Sequence, residues 1–544
     1  MRKQVLSALA FCSALGIAQA QTDVTKEYLV NPSFETLKAA DGTTDVAVKT
    51  KLESGLYGWE ISKLLDNQFS NYQVESEASG SSTGIPANGI IKPSQGEFYY
   101  FNRQGWGNVD GSELKTSTSK NLPIGTYYAV IDYKAADFSN NNDASKSGTT
   151  IGIKAENATN ELLGENTAVR RAYSTLTSNS DPYMVNAAWN ELGTMFTVTE
   201  PTTVTISLVQ NMKNSGRSDI AWDNLRLYQI ENVSENKPMD VSGLITTSNY
   251  YALGGWNIEG GNTFQVNTWS TEGEKDGSGM TTPFIQDHVG KENKAANATI
   301  SHTVNHLIPG IYEVSGLIRV LNEAGGDTPS GATLYANEGS TNACNGNPCT
   351  NGVYGTYTVK GTVGTDGVLT FGIKVANANF NWVSFKNFKL QYLGAASIEQ
   401  LQATLKEKIE EAKAYVENCP KGIAAIVNAA ITQGNSAQAT EESLNAAIAA
   451  LTQAIALAEE TAPATEAFKA LMATCQGYAS HSSAEESVKQ VFQKAMTDAQ
   501  AALDAATKTE AIQDATQALQ TACETYVLSA EPETGYPFDY TFLM

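Results

Sequence analysis

Trp222-Asp223-Asn224-Leu225-Arg226-Leu227 closes a segment that opens with Asn31-Pro32-Ser33-Phe34-Glu35 and passes through Gly58-Trp59 and Leu122-Pro123-Ile124-Gly125-Thr126-Tyr127. A second segment repeats the later marks in the same order: Gly255-Trp256, Leu307-Ile308-Pro309-Gly310-Ile311-Tyr312 and Phe385-Lys386-Asn387-Phe388-Lys389-Leu390. It has no counterpart of the Asn-Pro-Ser-Phe-Glu opening. Between the marks, runs of two-residue alternation such as Thr126 to Tyr133 and Thr203 to Val209 are separated by clusters of Gly, Asn, Ser and Pro. Similar runs follow near Ile311 to Val320, Tyr354 to Lys360 and Leu369 to Val375. Alternation of this kind, bounded by turn residues, is the pattern of an antiparallel sandwich. The expected fold is therefore multidomain, with antiparallel β-sandwiches over 21–235 and 236–395 and a linker from Asn232 to Asp240.

At Ser397 the period changes from two to that of a helix. Ser397 and Gln400 form a capping box, and Ile398, Leu401, Leu405, Ile409, Ala412 and Val416 make one apolar stripe. Pro420 suits the first position of a second helix. Ser483 with Glu486 and Thr507 with Glu510 mark further starts. Leu444, Ile448, Leu451 and Ile455 recur 68 positions later as Ile512, Thr516, Leu519 and Cys523. The span 396–529 is thus expected to be an all-α helical bundle of two three-helix repeats, serving as a spacer. The tail 530–544 is aromatic and β-prone, and Gly535 to Met544 reads like the opening strand of another sandwich.

A chain of 544 residues is too long for one core. Its start reads as a signal peptide over 1–20: Arg2 and Lys3, an apolar run from Val5 to Ile17, then Ala18-Gln19-Ala20. Bulky Phe11 before Cys12 argues against a lipid anchor. No later apolar stretch reaches the roughly 20 residues of a membrane span. The formal charge of -22 repels phosphate backbones and excludes nucleic acid as a partner. The expected location is exported: periplasmic, cell surface or secreted. Cys344 and Cys349 sit close enough in one loop to staple it by a disulfide. Zinc is the competing reading, but a lone Cys-x4-Cys lacks four ligands. The pairing of Cys419, Cys475 and Cys523 stays open.

At Asn31 to Glu35, Gly58-Trp59 and Trp222 to Leu227 the chain resembles carbohydrate-binding modules of the galactose-binding-like jelly-roll superfamily. Its arrangement is similar to exported Bacteroidetes proteins that string such modules together with helical bundles. The resemblance covers 24–394 as two jelly-roll modules, and its motifs specify fold better than ligand. It implies a structural calcium in the first module, with Glu35 and Asp223 at the positions of the carboxylate ligands. The alternative is a pair of ordinary edge carboxylates. In the second module Lys386 stands at the matching position, so no metal is expected there and its ammonium takes the cation's place.

Sugar recognition needs a flat apolar face against the C–H face of a pyranose, with amides, carboxylates or Arg for the hydroxyls. The richest cluster of that kind is Tyr99, Tyr100, Asn102, Arg103 and Trp106. Trp106, flanked by Gly105 and Gly107, either presents its indole to solvent or plugs one end of the core. Trp59 and Trp256 are expected in the core, and Trp269 and Trp382 are the remaining candidates, with the core as the competing place for both. Gly80-Ser81-Ser82-Thr83-Gly84 satisfies a hydrolase pattern but lies in a Ser/Gly loop, not between strand and helix. The four histidines form no His-Glu-x-x-His array. The expectation is a non-catalytic, exported glycan-binding protein. The alternatives are a surface or periplasmic protein-interaction or adhesin module, and an accessory fragment of a glycoside-degrading enzyme.

Overall fold

The structure is a computed structural model. It describes residues 21–63, 71–77, 92–104, 112–137, 150–169, 189–211, 218–246, 255–260, 264–267, 284–325, 328–344, 354–481 and 484–529. The segment expected to be a signal peptide and the aromatic tail lie outside the described residues. The chain divides into two compact units, Met1–Ala395 and Ala396–Met544.

The first unit is built from antiparallel sheets in two successive pairs. In the first pair, one sheet runs Asn190–Val198, Gly125–Asp137, Ser218–Ile230, Phe98–Gln104, Asn71–Ser76, with Gln21–Asp23 added to Ser218–Ile230. Its companion runs Gly55–Leu56, Trp59–Lys63, Ser112–Ser117, Val204–Asn211, Thr150–Asn157, Leu162–Val169. Alternate side chains of both sheets, among them Tyr127, Ile131, Tyr133 and Trp222 from one and Leu114, Ile153, Ile206 and Leu208 from the other, fill one buried cluster. The second pair repeats this plan. One sheet runs Gln265–Asn267, Phe284–His288, Trp382–Tyr392, Gly310–Leu321, Gly355–Val363, and the other Asn257–Gly260, Ala298–Val304, Leu369–Val375, Ala332–Ala336, Gly339–Asn342.

The repeated marks explain the repeated plan. Gly58 and Gly255 have φ of 82° and 83°, the left-handed region where a side chain is strained. A Cβ on Gly58 would lie 2.3 Å from the Val30 carbonyl oxygen. The tryptophans that follow, Trp59 and Trp256, are buried as expected. The Tyr127 hydroxyl donates to the Pro123 carbonyl at 2.9 Å, and Tyr312 does the same to Ile308 at 2.9 Å. Asn224 and Asn387 both have φ of 54°, and at each the closing strand slips register against its neighbour. Such a bulge turns the alternation of the strand.

The stretch expected to be a linker is partly sheet. Met239–Asp240 pairs with Tyr392 and Gln391, as Gln21–Asp23 pairs with the end of Ser218–Ile230, and Met239 is buried. Pro238 lies just before this strand and so takes no ladder hydrogen bond from it. The two sheet pairs also share buried surface: Tyr128, Val130 and Met195 join the second pair's core. Gly193 and Gly243 leave room for the Tyr128 side chain, since a Cβ on Gly193 would lie 2.5 Å from its ring and one on Gly243 2.6 Å from its hydroxyl.

The second unit holds helices Ile398–Val416, Lys421–Asn435, Glu441–His481, Glu486–Ala505 and Thr509–Ser529 around one buried cluster. The capping box forms as expected: the Ser397 amide donates to Gln400 Oε1 at 2.8 Å and the Gln400 amide to Ser397 Oγ at 3.2 Å. Pro420 is the N-cap, one place before its expected position. Leu444, Ile448, Leu451 and Ile455 are buried, as are Ile512, Leu519 and Cys523 in the second occurrence. The expected three-helix repeats run into one another. Glu441–His481 is continuous over 41 residues with Pro463 inside it, so the halves share that helix. Proline costs a helix one donor and a clash, yet a long helix with partners on both sides tolerates it.

Candidate functional site

The outer face of the first pair's sheet that holds Ser218–Ile230, away from the shared core, is polar and buried. Gln73, Glu75, Tyr99, Asp132, Lys134 and Asp223 lie on it. The bulge decides which groups meet there. Trp222, Leu225 and Leu227 enter the core, while Asp223 pairs with Asp132 and Arg226 with Val130, positions of the same face. Strict alternation would set Asp223 and Arg226 on opposite sides.

Arg226 organises the centre of this face. Its guanidinium pairs with Asp132, and the same Nη2 lies 3.0 Å from Glu191 Oε1. Burial works against the charge on Arg226, but Asp132 and Glu191 overcome it and its pKa rises above the usual value. Burial also pushes Glu191 up, opposed by Arg226. Asn224 Nδ2 donates to Asp132 Oδ2 at 2.9 Å, and Ser94 Oγ donates to the same oxygen. Next to this cluster stands Trp189. Its Nε1 donates to the Lys92 carbonyl at 3.0 Å, its ring meets the Tyr99 ring edge-on at 6.2 Å, and Lys134 Nζ lies 5.4 Å from its centroid. Asp132, Trp189, Asn190, Glu191, Arg226 and Ser242 line a cavity of about 350 Å³. An indole beside two carboxylates, a guanidinium, an amide and a hydroxyl can offer both an apolar face and hydroxyl-bonding groups.

Glu35 and Asp223 grip one segment from different places. The Glu97 amide donates to both oxygens of Glu35 at 3.0 and 3.1 Å, and the Phe98 amide to Oε1 at 3.1 Å. The amides of Ser94 and Gln95 donate to Asp223 Oδ2 at 2.8 and 3.0 Å. Asp223 Oδ1 is buried without a hydrogen-bond partner. Burial, only partly offset by these amides, pushes the Asp223 carboxyl up to about 8. Calcium takes six to eight oxygens. Of this pair only Asp223 Oδ1 stands outside a hydrogen bond, and among the described residues no three His, Cys, Asp or Glu side chains converge on a metal position. Glu35 and Asp223 as arranged do not fit a shared calcium. Their role here is to clamp 94–98 against the closing strand.

The other expected site residues fall as follows. Tyr100 is a core residue, 1% exposed, with its ring stacked on Phe34 at 5.6 Å, so its face is not offered to a ligand. Asn102 is also buried, and its Nδ2 donates to Ser112 Oγ at 2.7 Å. Alternation along Phe98–Gln104 turns both towards the companion sheet. Arg103 sits in that strand, its side chain outside the described residues, as is Trp106. Cys344 is buried, and Cys349 lies outside the described residues. Trp269 lies outside them too. Trp382 is buried with one ring face stacked on His288 at 4.2 Å and the Arg319 guanidinium 4.2 Å from its centroid. Lys386 is fully buried beside the Tyr354 ring, 4.6 Å from its centroid.

Trp189, Asp132 and Glu191 escaped sequence reasoning. Trp189 and Glu191 stand at the start of Asn190–Val198 and Asp132 in Gly125–Asp137, and only the bulge turns Arg226 to join them. The one available signal was the Asn at 224 and again at 387, a residue that tolerates left-handed backbone.

No family model matches this chain, and no curated protein matches it. Among solved structures it is similar to the N-terminal CBM22-1–CBM22-2 tandem domain of Paenibacillus barcinonensis Xyn10C, at 10% identity over 70% of this chain and 99% of that one, with a TM-score of 0.21. It is also similar to TmCBM61 in complex with β-1,4-galactotriose, at 15% identity over 37% and 97%, TM-score 0.21. An apo-form cyclase from Fischerella sp. is similar at 15% identity over 38% and 96%, TM-score 0.24. Among the described residues no helix is long and apolar enough to cross a membrane.

Proposed function

We propose that the protein is a non-catalytic glycan-binding protein whose first jelly-roll sandwich takes a sugar unit in the cavity at Trp189. The observation that carries this reading is the composition of the cavity wall, where the indole stands beside Asp132, Glu191, Arg226, Asn190 and Ser242. Arg226 is shared between Asp132 and Glu191, so both side chains stand at the cavity wall with oxygens within reach of a ligand's hydroxyls. The helical unit serves as a spacer and the chain is exported, in keeping with the resemblance and the Arg2 to Ala20 leader pattern.

The test is a glycan array probed with the full mature chain and with Trp189→Ala, with calcium and with a chelator, alongside an assay for released reducing sugar. The reading expects binding to a defined sugar class, unchanged by the chelator, weakened about tenfold or more by Trp189→Ala, and no released sugar. Absence of binding across the array, or hydrolysis of a bound glycan, contradicts it.

A further inference from the structure

The helical unit carries a cysteine pair that the glycan reading does not use. Cys475 lies in Glu441–His481, past Pro463, and Cys523 in Thr509–Ser529. Both are fully buried in the same cluster, and their thiols hydrogen-bond to each other across the helix interface. Cys523 occupies the place that Ile455 holds in the first half of the repeat, so a sulfur stands where the other half has an apolar side chain.

We propose that Cys475 and Cys523 are an oxidisable pair that closes to a disulfide and staples the last helix to the long one. The oxidant is a disulfide-bearing donor, of the kind that thiol oxidation outside the cytosol supplies. The Cys523 thiolate attacks one donor sulfur and displaces the other as a thiolate. Cys475 then attacks the Cys523 sulfur of the mixed disulfide, its proton passing to the departing donor sulfur. Two protein thiols are oxidised to one disulfide and the donor disulfide is reduced to two thiols. Because neither sulfur reaches the surface, exchange proceeds before the last helix docks or when it opens, and is fast during refolding and slow in the folded chain.

The test uses the full mature chain refolded in a glutathione redox couple, alkylated in denaturant without reduction, and digested for mass spectrometry. A linked Cys475–Cys523 peptide is expected, and complete alkylation of both residues overturns the proposal. Helical ellipticity gives a second readout. Reductant should lower the helical melting midpoint of the oxidised chain by roughly 10 °C, as expected for opening a loop of about 50 residues. It should leave Cys475→Ala and Cys523→Ala unmoved. An oxidised wild type whose midpoint ignores reductant overturns the stapling role.

Discussion

Asp223 and Lys386 hold the same place in two copies of one strand, just before an Asn with φ of 54°. Both are fully buried, and one is an acid where the other is a base. Around Asp223 stand the amides of Ser94 and Gln95 and the neighbouring Asp132. Around Lys386 stand the Tyr354 ring and, where Asp132 would be, Leu317. The backbone devices are kept in both copies: the left-handed Gly before Trp, the Tyr hydroxyl on the carbonyl four residues back, and the Asn bulge. The ionisable groups on the outer face are exchanged. A fold is specified by the first set, and what a sheet face can bind is specified by the second.

The largest expected effects test whether the kept devices weigh the same in both copies. Trp59→Ala and Trp256→Ala should each cost about 3–5 kcal/mol in denaturant unfolding of the first unit. All seven tryptophans lie before Ala396, so tryptophan fluorescence follows that unit. A much smaller cost at Trp256 would make the second copy's core a looser relative and not an equivalent. Next come charge exchanges. Asp223→Lys would set an ammonium against the Ser94 and Gln95 amides, donor facing donor, and should cost about 3 kcal/mol or more. Tolerance of that change would mean the two faces are interchangeable after all.

A pH series sharpens the same contrast. The folded Asp223 carboxyl, at about 8, binds a proton more tightly than an unfolded aspartate, which titrates near 3.8. The folded state therefore holds the extra proton between those values. Stability from this group is full below about pH 4, declines as pH rises, and is gone above about pH 8, a loss on the order of 2 kcal/mol once the Ser94 loop relaxes towards the charge. Asp223→Asn keeps an oxygen for both amides and should flatten that slope. An unchanged slope in the variant would place its origin elsewhere. The smallest effect is at the two tyrosines: Tyr127→Phe and Tyr312→Phe should each cost about 1 kcal/mol, the worth of one hydrogen bond.

How much of this was legible in the sequence follows the same division. Leu369–Val375 falls on its expected span, and the capping box at Ser397 forms as written, because local pattern fixes such elements. Met239–Asp240 was hidden behind Pro238, and the continuity of Glu441–His481 behind Pro463, since proline reads as a break until tertiary partners are known. The candidate site was least legible. Tyr100 and Asn102 have the right chemistry on the wrong side of their strand, and Asp223 with Arg226 comes to one face only through a bulge that alternation does not anticipate. The pocket residues also come from distant points of the chain, which only the sheet order brings together.

The central claim is that the Trp189 cavity binds a sugar, whereas Trp382, covered by His288 and Arg319, is structural. Calorimetric titration of the array-identified glycan into wild type, Trp189→Ala and Trp382→Ala tests it most directly. Loss of about tenfold or more in affinity for Trp189→Ala, with Trp382→Ala binding as wild type, is the predicted result. Unchanged binding by Trp189→Ala, or loss confined to Trp382→Ala in a folded chain, would contradict it.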